Sequence, residues 1–250
     1  MSVLPQEHVS HASPLRRYIL SAFVPAAATL GVGLAVRYGA LAAGSPPVRA
    51  DVLTLMAMTV WIALAAAPLA AGAQRAFGAL IRAGVMADIG ALGLLVMALT
   101  GPVVTWSVAW RTYLLWAGLA VAAAGVVRLA DRRLAQAALA LAFSAVAFAA
   151  CASPIWSDGL ILHLQGPWRQ AAGDSLAAVN PLLGLSRLLR PIGFVWSEQP
   201  VLYGLTRMGQ DYAIPAVGWH APALVWWALA AAAWTACLLR RAWQAFWWGN

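Results

Sequence analysis

Leu53–Gly72 reads LTLMAMTVWIALAAAPLAAG, twenty residues without one charged side chain. As a helix rising 1.5 Å per residue it covers about 30 Å, the thickness of a bilayer's hydrocarbon core. An amphipathic helix of a soluble protein would set polar residues along its outer face. This block has no such face, so it reads as a membrane span.

Comparable blocks lie on both sides. YILSAFVPAAATLGVGLAV at 18–36 supplies a first span, introduced by Ser13 as cap and Pro14 in the first helical position. It is long for a signal-peptide core and runs straight into Arg37, so an uncleaved span is expected. Residues 86–127 hold apolar length for two spans, hinged at Gly101-Pro102 or nearer Arg111. An arginine at mid-span costs ~2.5–3.5 kcal/mol on insertion scales, which places Arg111 near an interface. A fifth span falls at about 134–154 and a sixth at about 222–239, stopped by Arg240-Arg241. The expectation is an all-α polytopic bundle of about six spans. It forms a single membrane domain over 1–250, with a flexible cytoplasmic tail at 1–13 and a long external segment at 155–221.

Composition agrees. Of 250 residues 63% are hydrophobic and only 10% charged, with mean hydropathy +0.77, where a soluble domain carries about 25% charged residues. The net charge of +8 comes from sixteen arginines with no lysine. They stand singly or in pairs at the ends of apolar blocks, as topology requires, and do not gather on one solvated face as nucleic-acid binding would demand. No nucleic-acid partner is expected. Cys151 and Cys237 lie in different blocks near opposite faces, too far apart for a disulfide, and read as small packing residues.

The arginines also orient the chain. Six spans put both termini on one side. With that side cytoplasmic, nine arginines lie inside and seven outside, and four of those seven fall in one long loop that the charge rule weighs little. N-in, C-in follows, in the inner membrane of a bacterial cell. Alanine and glycine fill the spans, as in Ala65 to Ala67 and Ala122 to Ala124, and let helix backbones approach closely.

Two segments outside the spans carry candidate sites. Residues 73–85, AQRAFGALIRAGV, set Arg75 and Arg82 among Phe77, Leu80 and Ile81, which reads as a short amphipathic connector on the membrane surface. In the external segment, AAVNPLLGLSRLLRP reads as a short helix capped by Asn180 with Pro181 first. Leu182, Leu185, Leu188 and Leu189 form its apolar stripe, and Arg187 and Arg190 sit near its C-terminus, where the dipole favours cations. It can lie in the outer interface, or dip into the membrane where protein buries it.

Catalytic chemistry finds little support. His163 and His220 are 57 residues apart, and neither HExxH nor CxxC occurs, so converging metal ligands are missing. Asp88 is the one candidate for an intramembrane acid and is expected near the inner end of the third span; Asp51 opens the second span at the outer face. No cofactor, metal or catalytic residue is expected.

This layout resembles the six-span permease subunits of ABC exporters, over about residues 14–241. Those permeases open with a surface elbow helix, matched here by the surroundings of Ser13 to Arg17. They place a cytoplasmic coupling helix between spans two and three, where 73–85 lies. They insert re-entrant helices between spans five and six, often opening with Asn-Pro-Leu, as Asn180, Pro181 and Leu182 do, and closing on an arginine such as Arg187 or Arg190. The stretch 194–220 has no counterpart in that layout. The resemblance implies a separate soluble ATPase subunit docking on Arg75, Phe77 and Arg82, and a second permease subunit. A phosphate-binding loop needs a lysine, which the chain lacks. The alternative reading is a structural or assembly subunit of a larger membrane complex, for which fourteen tryptophans offer docking surface.

Overall fold

The computed structural model describes residues 14–73, 75–100, 104–189 and 217–248. Those residues form ten helices and no strand. Five are α1 (Pro14–Ala42), α2 (Pro47–Ala71), α3 (Ala76–Thr100), α4 (Trp106–Val127) and α5 (Arg133–Cys151). Four short ones follow, α6 (Ser153–Trp156), α7 (Asp158–His163), α8 (Pro167–Val179) and α9 (Pro181–Leu189), and α10 spans His220–Trp248. Helices α1 to α5 and α10 are long and apolar enough to cross a membrane. The protein is an all-α, multi-pass bundle of six such helices. Its surface is inverted relative to a soluble protein, with Phe23, Leu64, Leu92, Leu141 and Leu238 exposed.

Three boundaries differ from the sequence reading. Residues 76–85 are the first turns of α3, so no separate surface connector occupies 76–85. An arginine is tolerated there because its long stem lets the charge reach the helix end: the Arg82 guanidinium lies against Gly72 at the end of α2. Likewise α1 runs unbroken from Pro14, so Pro14 to Arg17 belong to the same helix as the first span and not to a separate elbow helix. Finally, α10 continues past Arg240-Arg241 to Trp248. Arginine is a strong helix former, so the pair ends the apolar stretch without ending the helix. The boundary between the third and fourth spans, left open above, falls between Thr100 and Trp106, with the Thr105 hydroxyl accepting from the Val108 N–H at 3.3 Å.

Helices α2 and α4 form the centre. Trp116, 1% exposed, donates from Nε1 to the Thr59 hydroxyl at 2.8 Å, and Thr59 donates to the Leu55 carbonyl at 2.8 Å. Gly90 of α3 makes room for that indole, since a Cβ there would come within 2.7 Å of the ring. Helix α1 is held more lightly, by Trp61 donating to Thr29 at 3.1 Å and by the ion pair of Arg37 with buried Asp51 at 2.9 Å. Between α1 and α2, Gly44 turns the chain at φ +78°, a conformation glycine adopts without a Cβ penalty.

Two joints show how the backbone is satisfied without water. Pro68 lies inside α2; lacking an N–H, it leaves the Leu64 carbonyl without its donor four residues on. The Ser144 hydroxyl of α5 donates to that carbonyl at 2.7 Å. The second joint seats α10 on α4. Trp227 Nε1 donates to the Leu114 carbonyl at 3.0 Å and Trp234 Nε1 to the Val121 carbonyl at 3.1 Å. Both residue numbers rise together, so α10 runs parallel to α4, with a seven-residue repeat on each helix. Gly118 and Gly125 stand four residues beyond the two acceptors, and a Cβ on either would lie 3.1 Å from the indole. Each glycine bares a carbonyl whose second lone pair the indole takes. Toward the C-terminal end of α10 Arg240 closes the seam, bonding Asp131 at 2.7 Å and the carbonyls of Arg128 and Leu129.

Two stability predictions follow from these joints. Ser144→Ala is expected to cost about 1–2 kcal/mol by orphaning the Leu64 carbonyl, and adding Pro68→Ala, which returns the missing N–H, restores most of it. Gly125→Val is expected to cost about 1–3 kcal/mol by overpacking the tryptophan seat, whereas Gly31→Ala, where a Cβ meets nothing, does not lower stability. Thermal unfolding in mild detergent reads both; equal melting of Ser144→Ala and the double variant would contradict the first.

Candidate functional site

Residues 153–189, after α5, fold back onto the bundle in short helices. Gly166, at φ +56°, reverses the chain ahead of α8, and the Arg169 side chain closes that turn by donating to the carbonyls of Leu164 and Leu162 at 2.8 and 3.0 Å. Helix α8 leads to Asn180, which is fully buried. The Asn180 carboxamide uses its whole bonding capacity. Oδ1 accepts from the N–H groups of Leu182 and Leu183 at 2.8 and 3.0 Å, and Nδ2 donates to the Ser153 hydroxyl at 3.0 Å and the Cys151 carbonyl at 3.3 Å. One side chain thus caps α9 and ties it to the end of α5.

Helix α9 then packs against α2, α4, α5 and α10. Of its nine residues all but Arg187 are buried, so it is enclosed on nearly every side, beyond the single leucine stripe the sequence suggests. Burial within the protein is the condition that a helix dipping into the membrane would need. Gly184 permits this: a Cβ there would strike the Pro222 ring of α10 at 2.8 Å. Pro181 and Leu182 open the helix as expected, and Arg187 sits in its last turn. Arg190 and most of 194–220 lie outside the described residues.

Beside α10's start, Arg111 lies in the second turn of α4. Its guanidinium is 5.4 Å from the Trp110 ring centre and 5.1 Å from that of Trp219, and the two rings meet edge to face at 5.8 Å. Cation–π contact at this depth contributes about 0.5–2 kcal/mol, and it explains how an arginine is carried inside a span's first turns. His220 touches Trp219 edge-on at 6.2 Å, while His163 ends α7, exposed. Among the described residues no three His, Cys, Asp or Glu side chains gather closely enough to hold a metal ion.

The three residues nominated for partner docking are split. Arg75, in the turn, and Phe77, 68% exposed in the first turn of α3, form a free tip at the end of the bundle. Arg82 is half-buried and folded over the C-terminus of α2, where the dipole favours a cation.

A cavity of about 190 Å³ lies between α1, α2 and α3, floored by Trp116 and lined by Thr29, Arg37, Thr54, Gly90 and Gly93 among apolar neighbours. Its lining is mostly apolar and includes no carboxylate. Sequence reading missed both this cleft and the tryptophan seam. The seam had a signal, the matching seven-residue spacings of Gly118 with Gly125 and Trp227 with Trp234.

Replacing the cap tests how α9 is held. Asn180→Ala should cost about 1–3 kcal/mol, since it orphans two helix N–H groups in a buried site, and should open α9 to protease or thiol labelling at Ser186→Cys. Unchanged labelling would show that the leucine packing alone seats the helix.

No protein-family model matches the chain, and no curated protein or solved structure matches it.

Proposed function

We propose that this chain is the membrane-spanning permease subunit of an ABC-type transporter, moving its substrate with energy from a separate ATPase subunit. The observation that carries the reading is α9, an Asn180-capped helix buried between the fifth and sixth spans. Backbone that re-enters a bundle is costly in lipid unless protein encloses it, and such elements line transport paths. The absence of lysine supports an outside energy source, because a nucleotide-phosphate loop relies on that amine.

In this reading the termini and the α2–α3 tip face the cytoplasm of a bacterial cell. The exposed Arg75 and Phe77 then present a charge and an aromatic ring to the ATPase subunit, while Arg82 holds the tip rigid from within. A second permease subunit completes the path, because one six-helix bundle is already filled at its centre by Trp116 and its neighbours.

Gentle detergent purification of the tagged chain from its source membranes tests the proposal. A nucleotide-hydrolysing subunit should copurify, and Arg75→Glu with Phe77→Ala should release it while the chain's own melting stays unchanged. A fixed set of partners without any ATPase would replace this reading with that of an assembly subunit.

A further inference from the structure

Helix α3 carries one acidic side chain, Asp88, with twelve helix residues before it and twelve after. At 1.5 Å per residue each end of α3 is about 18 Å away, which sets the carboxyl near the middle of a hydrocarbon layer about 30 Å thick. It therefore lies deeper than the inner-end position read from the sequence. The neighbouring helix agrees: a Cβ on Gly90 would meet the tip of Met58 at 3.5 Å, and Met58 lies midway along α2.

Asp88 is nevertheless exposed on the surface of the bundle. Within the chain the Tyr113 hydroxyl donates to it at 3.1 Å. A carboxylate has about four acceptor sites, and neither acyl chains nor bulk water supplies donors at this depth. Lipid headgroups do not reach it. Acidic side chains inside membranes face protein or a water-filled path and pair there.

The surrounding face suits a helix. Gly84, Asp88, Leu92, Leu95 and Leu99 recur at helical spacing on one side of α3. Leu92 and Leu99 are 57% and 68% exposed, and a Cβ on Gly84 would meet nothing. A small residue one turn from a polar one lets a neighbouring backbone come close and bond.

We propose that this face docks a transmembrane helix of a different polypeptide, one that brings an Arg or Lys side chain to the depth of Asp88. Charge complementarity selects that occupant over a second copy. Arg37 is held by Asp51 and Arg240 by Asp131, Arg82 lies over the end of α2, and Arg111 is clamped between two tryptophans. The other described arginines sit at span ends, in connections, or in α8 and α9. A two-fold α3–α3 contact would set Asp88 against Asp88. The inference rests on Asp88 and its surroundings and is independent of the transport reading.

A photoreactive residue placed at Leu92 or Leu95 of the full chain, expressed in its source membranes, tests it. The cross-linked peptide should map to a membrane span of another protein with a basic residue within a turn of the adduct. Asp88→Asn, which still accepts from Tyr113, should lower adduct yield about tenfold or more, and Asp88→Glu should keep it. The purified Asp88→Asn chain should melt with wild type. An adduct to a second copy, to lipid alone or to a span lacking a basic residue would overturn the proposal. So would an Asp88→Asn chain that keeps its adduct, or one that melts lower by itself.

Discussion

In a hydrocarbon layer every backbone carbonyl and N–H must find its partner inside the protein, and the joints of this bundle are answers to that demand. Pro68 removes a donor from α2 and Ser144 of α5 takes its place. Gly118 and Gly125 bare carbonyls on α4, and two indoles of α10 bond them. Asn180 satisfies the opening N–H groups of α9 and reaches back to the end of α5. In each case a residue that weakens or exposes one helix creates the docking point for another. Polar bonds thus supply the specificity that burial of greasy surface cannot, since lipid tails are as apolar as the side chains they meet.

The same demand distributes charge. Arg37, Arg82, Arg111 and Arg240 all lie toward the ends of spans, and each is accommodated differently: by a carboxylate, by a helix terminus, by two aromatic faces, and by a carboxylate together with carbonyls. Asp88 stands apart. Its depth and exposure set it against the pattern of the rest, and a side chain that departs from an otherwise uniform rule marks a place where the chain alone is incomplete.

Much of the outline was legible in the sequence because spanning is a property of composition and length. Uncharged blocks such as Leu53–Gly72 locate spans irrespective of their neighbours, and Asn180-Pro181 marks a helix start wherever it falls. Boundaries were read less well at α3 and α10. Arginine among apolar residues at 73–85 reads as a surface connector and Arg240-Arg241 as the end of a span, whereas Arg82 and Arg240 reach sideways to partners and let each helix continue. Of the nominated docking residues, Arg75 and Phe77 share one tip while Arg82 turns inward, a division that depends on which way the first turn of α3 faces.

What the sequence by itself determined is that the chain crosses the membrane as helices, about six times, with a capped helix in its long connection. Those are consequences of local hydropathy and of turn and cap chemistry. Only the tertiary structure decided that α9 is buried among four spans, that α10 runs parallel to α4 on tryptophan seats, and that Asp88 is exposed midway along α3. These depend on which helix faces which, and helix faces are matched by shape and hydrogen-bond geometry between residues on different helices, up to 113 positions apart for Trp227 and Leu114.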